Sequence, residues 1–254
     1  MPSPNHISTK LAEEVSFLNR LSGEYRLEQS PQTQLMRELF VRAVRPYCRA
    51  GHGLELGCSD GYMTEMIAPL FHRLDVVEGS PAFAERAKAR GIPNASFTVS
   101  LFESFVVKQK YDRVFAVWIL EHVADPQDVY RIAREALKPD GLLFTVVPNE
   151  RALSRQLAVH MGLLRDVQHL TPNDVKHGHR RTYNRHSFNR EIEGAGLEIV
   201  AQGGLMFKIL ADFQLDRLLA DGFLGQQHVD GLYKLGLEYP DFAGSLYAVC
   251  RLKP

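Results

Sequence analysis

The chain has few features that would tie it to a disulfide framework, a membrane or a nucleic acid. Its 254 residues include only three cysteines, Cys48, Cys58 and Cys250, and no CxxC pair. Neither a disulfide framework nor a structural zinc site is predicted, and a reducing cytosol is the expected compartment. No long apolar run is present, so no membrane span is expected. Thirty basic residues balance thirty acidic ones, and this neutrality argues against nucleic acid as a partner.

Two common nucleotide-binding motifs are also missing. A nicotinamide cofactor requires GxGxxG after the first strand, whereas residues 57–61 read GCSDG. The P-loop that ends in Gly-Lys-Ser/Thr is absent as well, which argues against ATP or GTP. A compact turn without room for a pyrophosphate, followed by an acidic residue on the next strand, favours a nucleoside that carries no phosphates.

What the chain does contain, from residue 53 onwards, is a strand pattern that alternates with a helix pattern. This alternation predicts an α/β fold with a doubly wound, mostly parallel seven-stranded sheet covered on both faces. The predicted strands cover 53–57, 73–78, 96–100, 112–118, 141–147, 197–203 and 245–251. The predicted helices cover 61–70, 81–90, 126–137 and 186–195.

The remaining segments suggest a division into two regions. Residues 1–50 are predicted to be an N-terminal helical cover, broken near Ser30-Pro31, that forms either a layer on the sheet or a lid over a cofactor. Residues 51–254 are predicted to be the catalytic domain, with insertions at about 148–185 and 205–241. Insertions at the carboxyl edge of such a sheet often build substrate sites, so we expect these two to form a cap. The second is rich in apolar residues and suits either a lid or a dimer face.

The first strand ends in a turn that suits a nucleoside. Gly57 and Gly61 allow the backbone to turn sharply and to approach a ligand without a Cβ atom in the way. The following helix would direct its unpaired N–H groups at that ligand. Glu78 is expected at the tip of the next strand, where its carboxylate can accept hydrogen bonds from ribose hydroxyls.

These blocks and those that follow them resemble the class I S-adenosylmethionine-dependent methyltransferases, of the ubiquinone/menaquinone-type group. The resemblance covers about residues 50–150 and rests on the order of its motifs. The matching blocks are residues 55–58, Gly61, Glu78, residues 111–114 and 120–123, residues 137–141, and Pro148-Asn149. Residues 178–183 and 196–198 also look like the downstream half of such proteins.

The resemblance implies a Rossmann-like methyltransferase fold with S-adenosylmethionine as cofactor. It implies that Gly57 and Cys58 pack against the methionine moiety, while Glu55 orients its amino group and Glu78 binds the ribose. Phe102 would lie near the adenine and Trp118 would line the wall. The full implied cofactor set is Glu55, Gly57, Cys58, Ser59, Gly61, Glu78, Gly79, Ser80, Leu101, Phe102 and Trp118.

Some positions in that set have alternatives or depart from the family pattern. Ser59 stands where many relatives have glycine, and Leu101 stands where many have an aspartate that reads the adenine. Glu55 is also placed to cap the following helix. Phe102 and Trp118 are alternatively ordinary core aromatics.

Methyl transfer is an in-line displacement, so the protein must mainly align the reactants and exclude water. A base is needed only when the acceptor must lose a proton, and histidine suits that role near neutral pH. His122 follows the fourth strand and is the first candidate, unless it only packs against the next helix. His179 and Tyr183 are the other predicted catalytic residues.

The segment from Arg165 to Arg190 concentrates basic residues and histidines. We predict a site for an anionic acceptor there, with His177, Arg180 and Arg181 as substrate-binding residues. A solvated polar loop is the alternative. Metal ligation by His177 and His179 lacks a nearby carboxylate or cysteine in the sequence, so no metal is expected.

The predicted function is methyl transfer to oxygen or nitrogen of a small, anionic metabolite or biosynthetic intermediate, such as a natural-product or surface-sugar precursor. Two other hypotheses remain open, a methyltransferase that acts on RNA or protein and a cofactor-binding protein without catalysis. The expected partner is a small-molecule acceptor, and a second copy of the chain is a candidate partner for a homodimer. No nucleic acid or membrane is expected, and the predicted location is cytoplasmic.

Overall fold

One seven-stranded sheet organises the protein, as seen in a computed structural model that describes residues 4–24 and 30–253. The strands are β1 (His52–Leu56), β2 (Arg73–Glu78), β3 (Ala95–Val99), β4 (Tyr111–Val117), β5 (Leu137–Pro148), β6 (Leu197–Phe207) and β7 (Ala243–Leu252). The helices are α1 (Pro4–Glu24), α2 (Pro31–Val44), α3 (Tyr62–Ile67), α4 (Pro81–Ala89), α5 (Pro126–Ala136), α6 (Leu153–His160), α7 (Pro172–Lys176), α8 (Arg185–Gly194), α9 (Asp212–Ala220) and α10 (Gln226–Glu238).

The strand order across the sheet is β3-β2-β1-β4-β5-β7-β6. Strands β1 to β5 pair in parallel, and β7 runs antiparallel to both β5 and β6. The predicted doubly wound, mostly parallel sheet is therefore confirmed. The chain reverses its direction of winding between β1 and β4, and a ligand crevice is expected at the carboxyl ends of these two strands.

Each face of the sheet is covered by its own apolar layer. Helices α5 and α8 pack on one face, with Tyr130 and Phe188 among the fully buried side chains. Helices α2, α3, α9 and α10 pack on the other face, around Phe40 and Phe115. Every residue of β4 is buried, which is typical of a central parallel strand that is covered on both sides.

Local chemistry explains where several predicted elements begin and end. The predicted break near Ser30-Pro31 is confirmed, because the Ser30 side chain caps α2 by accepting a hydrogen bond from the Thr33 N–H at 3.1 Å. The helix predicted over 61–70 ends at Ile67 and continues as a 3-10 turn, since Pro69 has no N–H to donate. Strand β5 begins at Leu137 rather than at residue 141, because Leu137 is already extended and pairs with Tyr111.

The two insertions differ from the predicted cap. The 148–185 insertion carries α6 and α7, and its loop after α7 runs beside the end of β4. The 205–241 insertion instead covers the sheet, because α10 packs on β6 and buries Val229 and Tyr233. The second insertion therefore closes the core and supplies none of the described residues of the cavity wall. No helix in the described part of the chain is both long and apolar enough to cross a membrane.

Candidate functional site

A cavity opens at the carboxyl ends of β1, β2 and β4. Its floor is the turn after β1, one side is the end of β4, and its roof is formed by Leu18 and Leu21 of α1. The N-terminal helix therefore lies where a lid would lie, whereas α2 packs on the sheet. Six predicted site residues line this cavity: Gly57, Cys58, Ser59, Glu78, Trp118 and His122.

The turn at residues 57–61 is held open by unusual backbone angles. Gly57 has φ +77° and Gly61 has φ +81°, both in the left-handed region. A Cβ atom on Gly57 would lie 2.5 Å from Cδ1 of Ile119, another wall residue. Ser59 is also left-handed, with φ +49°, although it has a side chain. The turn thus needs a glycine at position 57 to keep the cavity wall clear.

Glu78 holds this turn in place from the end of β2. Its Oε2 accepts hydrogen bonds from the backbone N–H groups of Cys58 and Ser59, each at 3.0 Å, and its Oε1 accepts one from Ser80 at 2.8 Å. Burial raises the pKa of Glu78, and these three N–H groups oppose that rise. A carboxylate offers about four lone pairs, so three backbone bonds leave room for a ribose hydroxyl.

Glu55 lies behind the turn and is not a wall residue. Its side chain is fully buried, and its Oε2 accepts a hydrogen bond from Oγ1 of Thr64 at 2.6 Å. Its Oε1 has no partner among the described residues, and burial raises the pKa of Glu55 to about 8. The contact with Thr64 supports the alternative in which Glu55 stabilises α3, while the unpartnered oxygen suits a cationic group nearby.

Gly61 and Ser80 do not line the cavity, which corrects the cofactor set implied by the resemblance. A Cβ atom on Gly61 would lie 2.8 Å from both Cα and Cβ of Ala87, so this glycine allows the start of α3 to pack against α4. Ser80 caps α4, with its Oγ accepting a hydrogen bond from the Phe83 N–H at 3.3 Å. Both residues shape the walls from behind.

Gly79, Leu101 and Phe102 also lie outside the wall. A Cβ atom on Gly79 would lie 2.7 Å from Cδ1 of Leu18 and 3.2 Å from Cδ2 of Leu101, so Gly79 makes room for α1. Phe102 is buried in the core layer beside α5, as its alternative interpretation predicts. None of these three residues is among the described residues of the cavity wall.

The sequence analysis missed Arg37, a buried cation in the cavity wall. Its guanidinium lies over the Trp118 ring at 5.1 Å and donates a hydrogen bond to the Thr33 carbonyl at 3.2 Å. A signal did exist, because Arg37 shares the buried face of α2 with Phe40 and Val44, three and seven residues later. The other missed wall residues are Leu18, Leu21, Asp60, Met63, Phe83, Val117 and Ile119.

Trp118 is held in a strained conformation at the end of β4. Its φ of +48° is rare for a bulky residue. Its indole N–H donates to Oγ of Ser245 at 3.3 Å, which directs the ring to the wall beside Arg37. Such strain is often found at functional sites.

His122 presents a neutral imidazole in the cavity wall. Only 13% of its side chain is exposed, and its Nδ1 has no partner among the described residues. Burial, followed by the charge of His179, holds the pKa of His122 well below its ordinary value of 6.5. The ring is therefore uncharged at neutral pH, and its unpartnered Nδ1 is buried.

His179 stands behind His122 rather than in the wall. The two rings meet edge to face at 4.8 Å, and Nδ1 of His179 lies 3.4 Å from Oδ1 of Asp174. Donor atoms of Glu121, His122 and His179 lie within 4.8 Å of one another. Two carboxylates therefore lie close to His179: that of Asp174 in the first insertion and that of Glu121, which the fold brings there from the end of β4.

Tyr183, a predicted catalytic residue, does not line this cavity. Its side chain is buried, and its hydroxyl contacts the Leu120 carbonyl at 3.4 Å and Oε1 of Glu191 at 3.2 Å. Burial and the charge of Glu191 raise the pKa of Tyr183. Tyr183 borders a different surface hollow, together with Arg181.

Arg181 also has a structural task in place of the predicted substrate contact. Its guanidinium donates hydrogen bonds to the carbonyl groups of Leu120, Val123 and Ala124 at 2.6, 2.7 and 2.8 Å. These carbonyls belong to the segment that carries His122. Arg181 therefore fixes that segment to the first insertion.

Arg180 and His177 likewise lie outside the cavity wall. Arg180 pairs with Glu14 of α1 at 2.7 Å and lies over the Phe17 ring at 4.5 Å. His177 is half-buried, and burial lowers its pKa. Arg180 and Arg181 therefore bind protein groups, and none of the three predicted substrate-binding residues lines the cavity.

Comparison with known proteins shows the family of the chain. The family model described as a methyltransferase domain matches residues 17–202. The chain belongs to this family. It is an S-adenosylmethionine-dependent methyltransferase with a Rossmann-like fold, as the sequence analysis predicts.

Individual relatives agree with this family. The chain is 28% identical over 169 residues to a ubiquinone biosynthesis O-methyltransferase of Methylobacterium sp., covering 58% of this chain and 68% of that protein. It is 26% identical over 193 residues to the enzyme of the same description in Idiomarina loihiensis, covering 74% of each. The solved DhpI-SAH complex superposes with a TM-score of 0.61 at 17% identity, covering 96% of this chain and 97% of that one, which shows the shared fold.

Proposed function

We propose that this methyltransferase methylates an oxygen or nitrogen atom of a small-molecule acceptor, and that His122 takes the acceptor's proton. The observation that carries the proposal is a histidine in the cavity wall whose pKa is held well below 6.5, so that its ring is uncharged at neutral pH. His122 follows β4 directly, on the side of the cavity that also holds Trp118.

The cavity residues fit S-adenosylmethionine. Glu78 has a lone pair left for the ribose, and the left-handed turn at Gly57 keeps Cβ atoms out of the wall. Arg37 is the one arginine or lysine among the described wall residues, so it is the partner we assign to the methionine carboxylate. When bound, S-adenosylmethionine supplies the electrophilic methyl group, and the apolar roof of Leu18 and Leu21 excludes water.

The acceptor class follows from what the wall offers. The sequence analysis assigns Arg180 and Arg181 to a negatively charged group of the acceptor, but both side chains bind protein groups. His122 remains, and a neutral imidazole suits an acceptor hydroxyl or a protonated amine. The curated relatives are described as O-methyltransferases, which favours oxygen.

Two measurements test this proposal in order. Calorimetry with S-adenosylhomocysteine should give a Kd of about 1–100 μM, equivalent to roughly 5.5–8 kcal/mol. The protein is then incubated with methyl-labelled cofactor and separate pools of phenols, alcohols, amines, RNA and protein. We expect the label in one of the small-molecule pools.

His122→Asn should lower that transfer by about 10²–10⁴-fold while leaving the affinity for S-adenosylhomocysteine within about threefold. His186→Gln, at an exposed position on α8, is the matched control and should behave like the wild type. Label found in RNA or protein, or full transfer by the His122→Asn variant, would contradict the proposal.

A further inference from the structure

His179, from the first insertion, packs against the side of the His122 ring that faces away from the cavity. This contact does not shape the cavity. His179 does not line the cavity, yet its ring meets the His122 ring edge to face at 4.8 Å. Only 16% of the His179 side chain is exposed. Its backbone N–H donates to the Asp174 carbonyl at 2.9 Å, so the loop that carries it is closed onto α7.

Asp174 is clamped on several sides. It accepts hydrogen bonds from NH1 of Arg155 at 3.0 Å and from the Thr171 N–H at 2.8 Å, and it completes the capping box of α7. Its other carboxylate oxygen lies 3.4 Å from Nδ1 of His179. A carboxylate held this firmly orients the imidazole beside it, just as a buried aspartate orients a catalytic histidine.

We propose that His179, held by Asp174, is the positioning residue of His122: it fixes the angle of the His122 ring and keeps that ring unprotonated. The inference rests on the proposed function, because it gives His122 the task of accepting the acceptor's proton. Transfer of the methyl group releases one proton, which passes from the acceptor's O–H or N–H bond to His122 and then to solvent. His179 keeps its own proton throughout.

The charges around the two rings support this division of tasks. Burial opposes protonation of His179, but its hydrogen bond with Asp174 and the charges of Glu121 and Asp174 raise its pKa above the ordinary value. The cation on His179 in turn adds to burial in lowering the pKa of His122. The charged or titratable groups that face His122 are Glu121, His177, His179 and Arg180.

A bound metal ion is the competing use of the same cluster, and the charges disfavour it. The carboxylates of Asp174 and Glu121 are already matched by the guanidinium of Arg155 and the imidazolium of His179. A divalent cation bound by His179 would have to displace the proton that Asp174 and Glu121 stabilise on that ring. Positioning through a charged imidazole needs no further group.

Proton titration of the histidines by NMR tests the proposal without any acceptor. The protein is labelled at histidine Cε1, and the His122 and His179 signals are assigned from the loss of each in a variant. In the wild type, the His122 midpoint should lie below 6.5 and the His179 midpoint above it. In His179→Gln, the His122 midpoint should rise by at least about one pKa unit, a tenfold gain in proton affinity.

Asp174→Asn keeps both rings and decides the question if His179→Gln does not fold. It should lower the His179 midpoint by at least about one pKa unit and raise that of His122. His186→Gln, on the surface of α8, should change neither signal. An unchanged His122 midpoint in the folded variants would overturn the proposal, as would joint shifts of both signals with one equivalent of Zn²⁺. Absence of methyl transfer would contradict the proposed function alone, since these titrations do not depend on turnover.

Discussion

Replacing Gly61 by alanine should destabilise the fold and leave the cavity's affinity for its ligand nearly intact. Family resemblance places this glycine against the cofactor, whereas the structure places it against α4. Its φ is +81°, and an added Cβ would lie 2.8 Å from Cα of Ala87, a backbone atom that cannot rotate away. The substitution thus separates a packing role from a ligand-contact role.

The expected loss of stability has two parts. Holding alanine in the left-handed region costs about 1–2 kcal/mol. Pushing a methyl group into the backbone of α4 costs about 1–3 kcal/mol more. Alanine also restricts the unfolded chain more than glycine does, which stabilises the folded state by about 0.4–1 kcal/mol. Gly61→Ala should therefore lower the free energy of unfolding by roughly 1–4.6 kcal/mol.

Gly91→Ala is the matched control for backbone strain. Gly91 also has a positive φ, +66°, but no atom lies within 4 Å of the position of its Cβ. It should show only the cost of the left-handed conformation. The difference between the two variants in urea unfolding, at equal m-values, measures the clash with Ala87.

Gly57→Ala is the matched control for ligand contact. Its Cβ would meet the end of the flexible Ile119 side chain at 2.5 Å, in the cavity wall itself. Calorimetry should therefore show a larger loss of affinity for S-adenosylhomocysteine in this variant than in Gly61→Ala. The reasoning is refuted if Gly61→Ala is as stable as Gly91→Ala, or if it loses more affinity than Gly57→Ala.

Three further predictions concern charged residues of the site. Arg37→Met should weaken S-adenosylhomocysteine binding by about 10–150-fold, because a charge-assisted hydrogen bond contributes about 1.5–3 kcal/mol. Arg42→Met, on the exposed face of the same helix, should leave this affinity unchanged. Equal affinities of the two variants would show that Arg37 does not bind the cofactor. Glu78→Ala should weaken the same binding far more than His122→Ala, as calorimetry on both variants will show, because Glu78 holds the turn and faces the ribose. Glu55 has a folded pKa of about 8 against 4.5 when unfolded, so the folded state keeps a proton that the unfolded state loses, and stability should fall by at most about 1.4 kcal/mol per pH unit between these values. Glu55→Gln should reduce that slope in urea unfolding between pH 5 and pH 8, and a slope equal to that of the wild type would locate the titration elsewhere.

The sheet and the cofactor turn could be predicted because their signals are local. Strand and helix periodicities are read within a few residues, and Ser30-Pro31 marks a helix start by the chemistry of two adjacent residues. The turn after β1 is likewise contiguous, and its glycine at position 57 is needed for a backbone angle rather than for a distant partner. Only Glu78 is separated from the turn, by one helix and one strand, a spacing that the fold class itself fixes.

The predictions that were wrong concern side chains whose partners lie far along the chain. Arg181 looked free for a substrate, but its guanidinium is occupied by Leu120, Val123 and Ala124, about sixty residues earlier. Arg180 forms an ion pair with Glu14, which lies near the beginning of the chain. The protein groups that pair with a basic cluster can be distant in the sequence, so the cluster resembles an anion-binding site. Only the folded structure shows these partners.

The sequence by itself determined the fold class and the methyl donor, because both follow from short ordered motifs and their spacing. Only the tertiary structure decided how the residues after β4 are used. It brought His179 and Asp174 from the first insertion to the back of His122, and it placed Arg37 of α2 beside Trp118. These contacts join segments that are distant in the chain, and their geometry depends on how helices pack against the sheet, which no local pattern encodes.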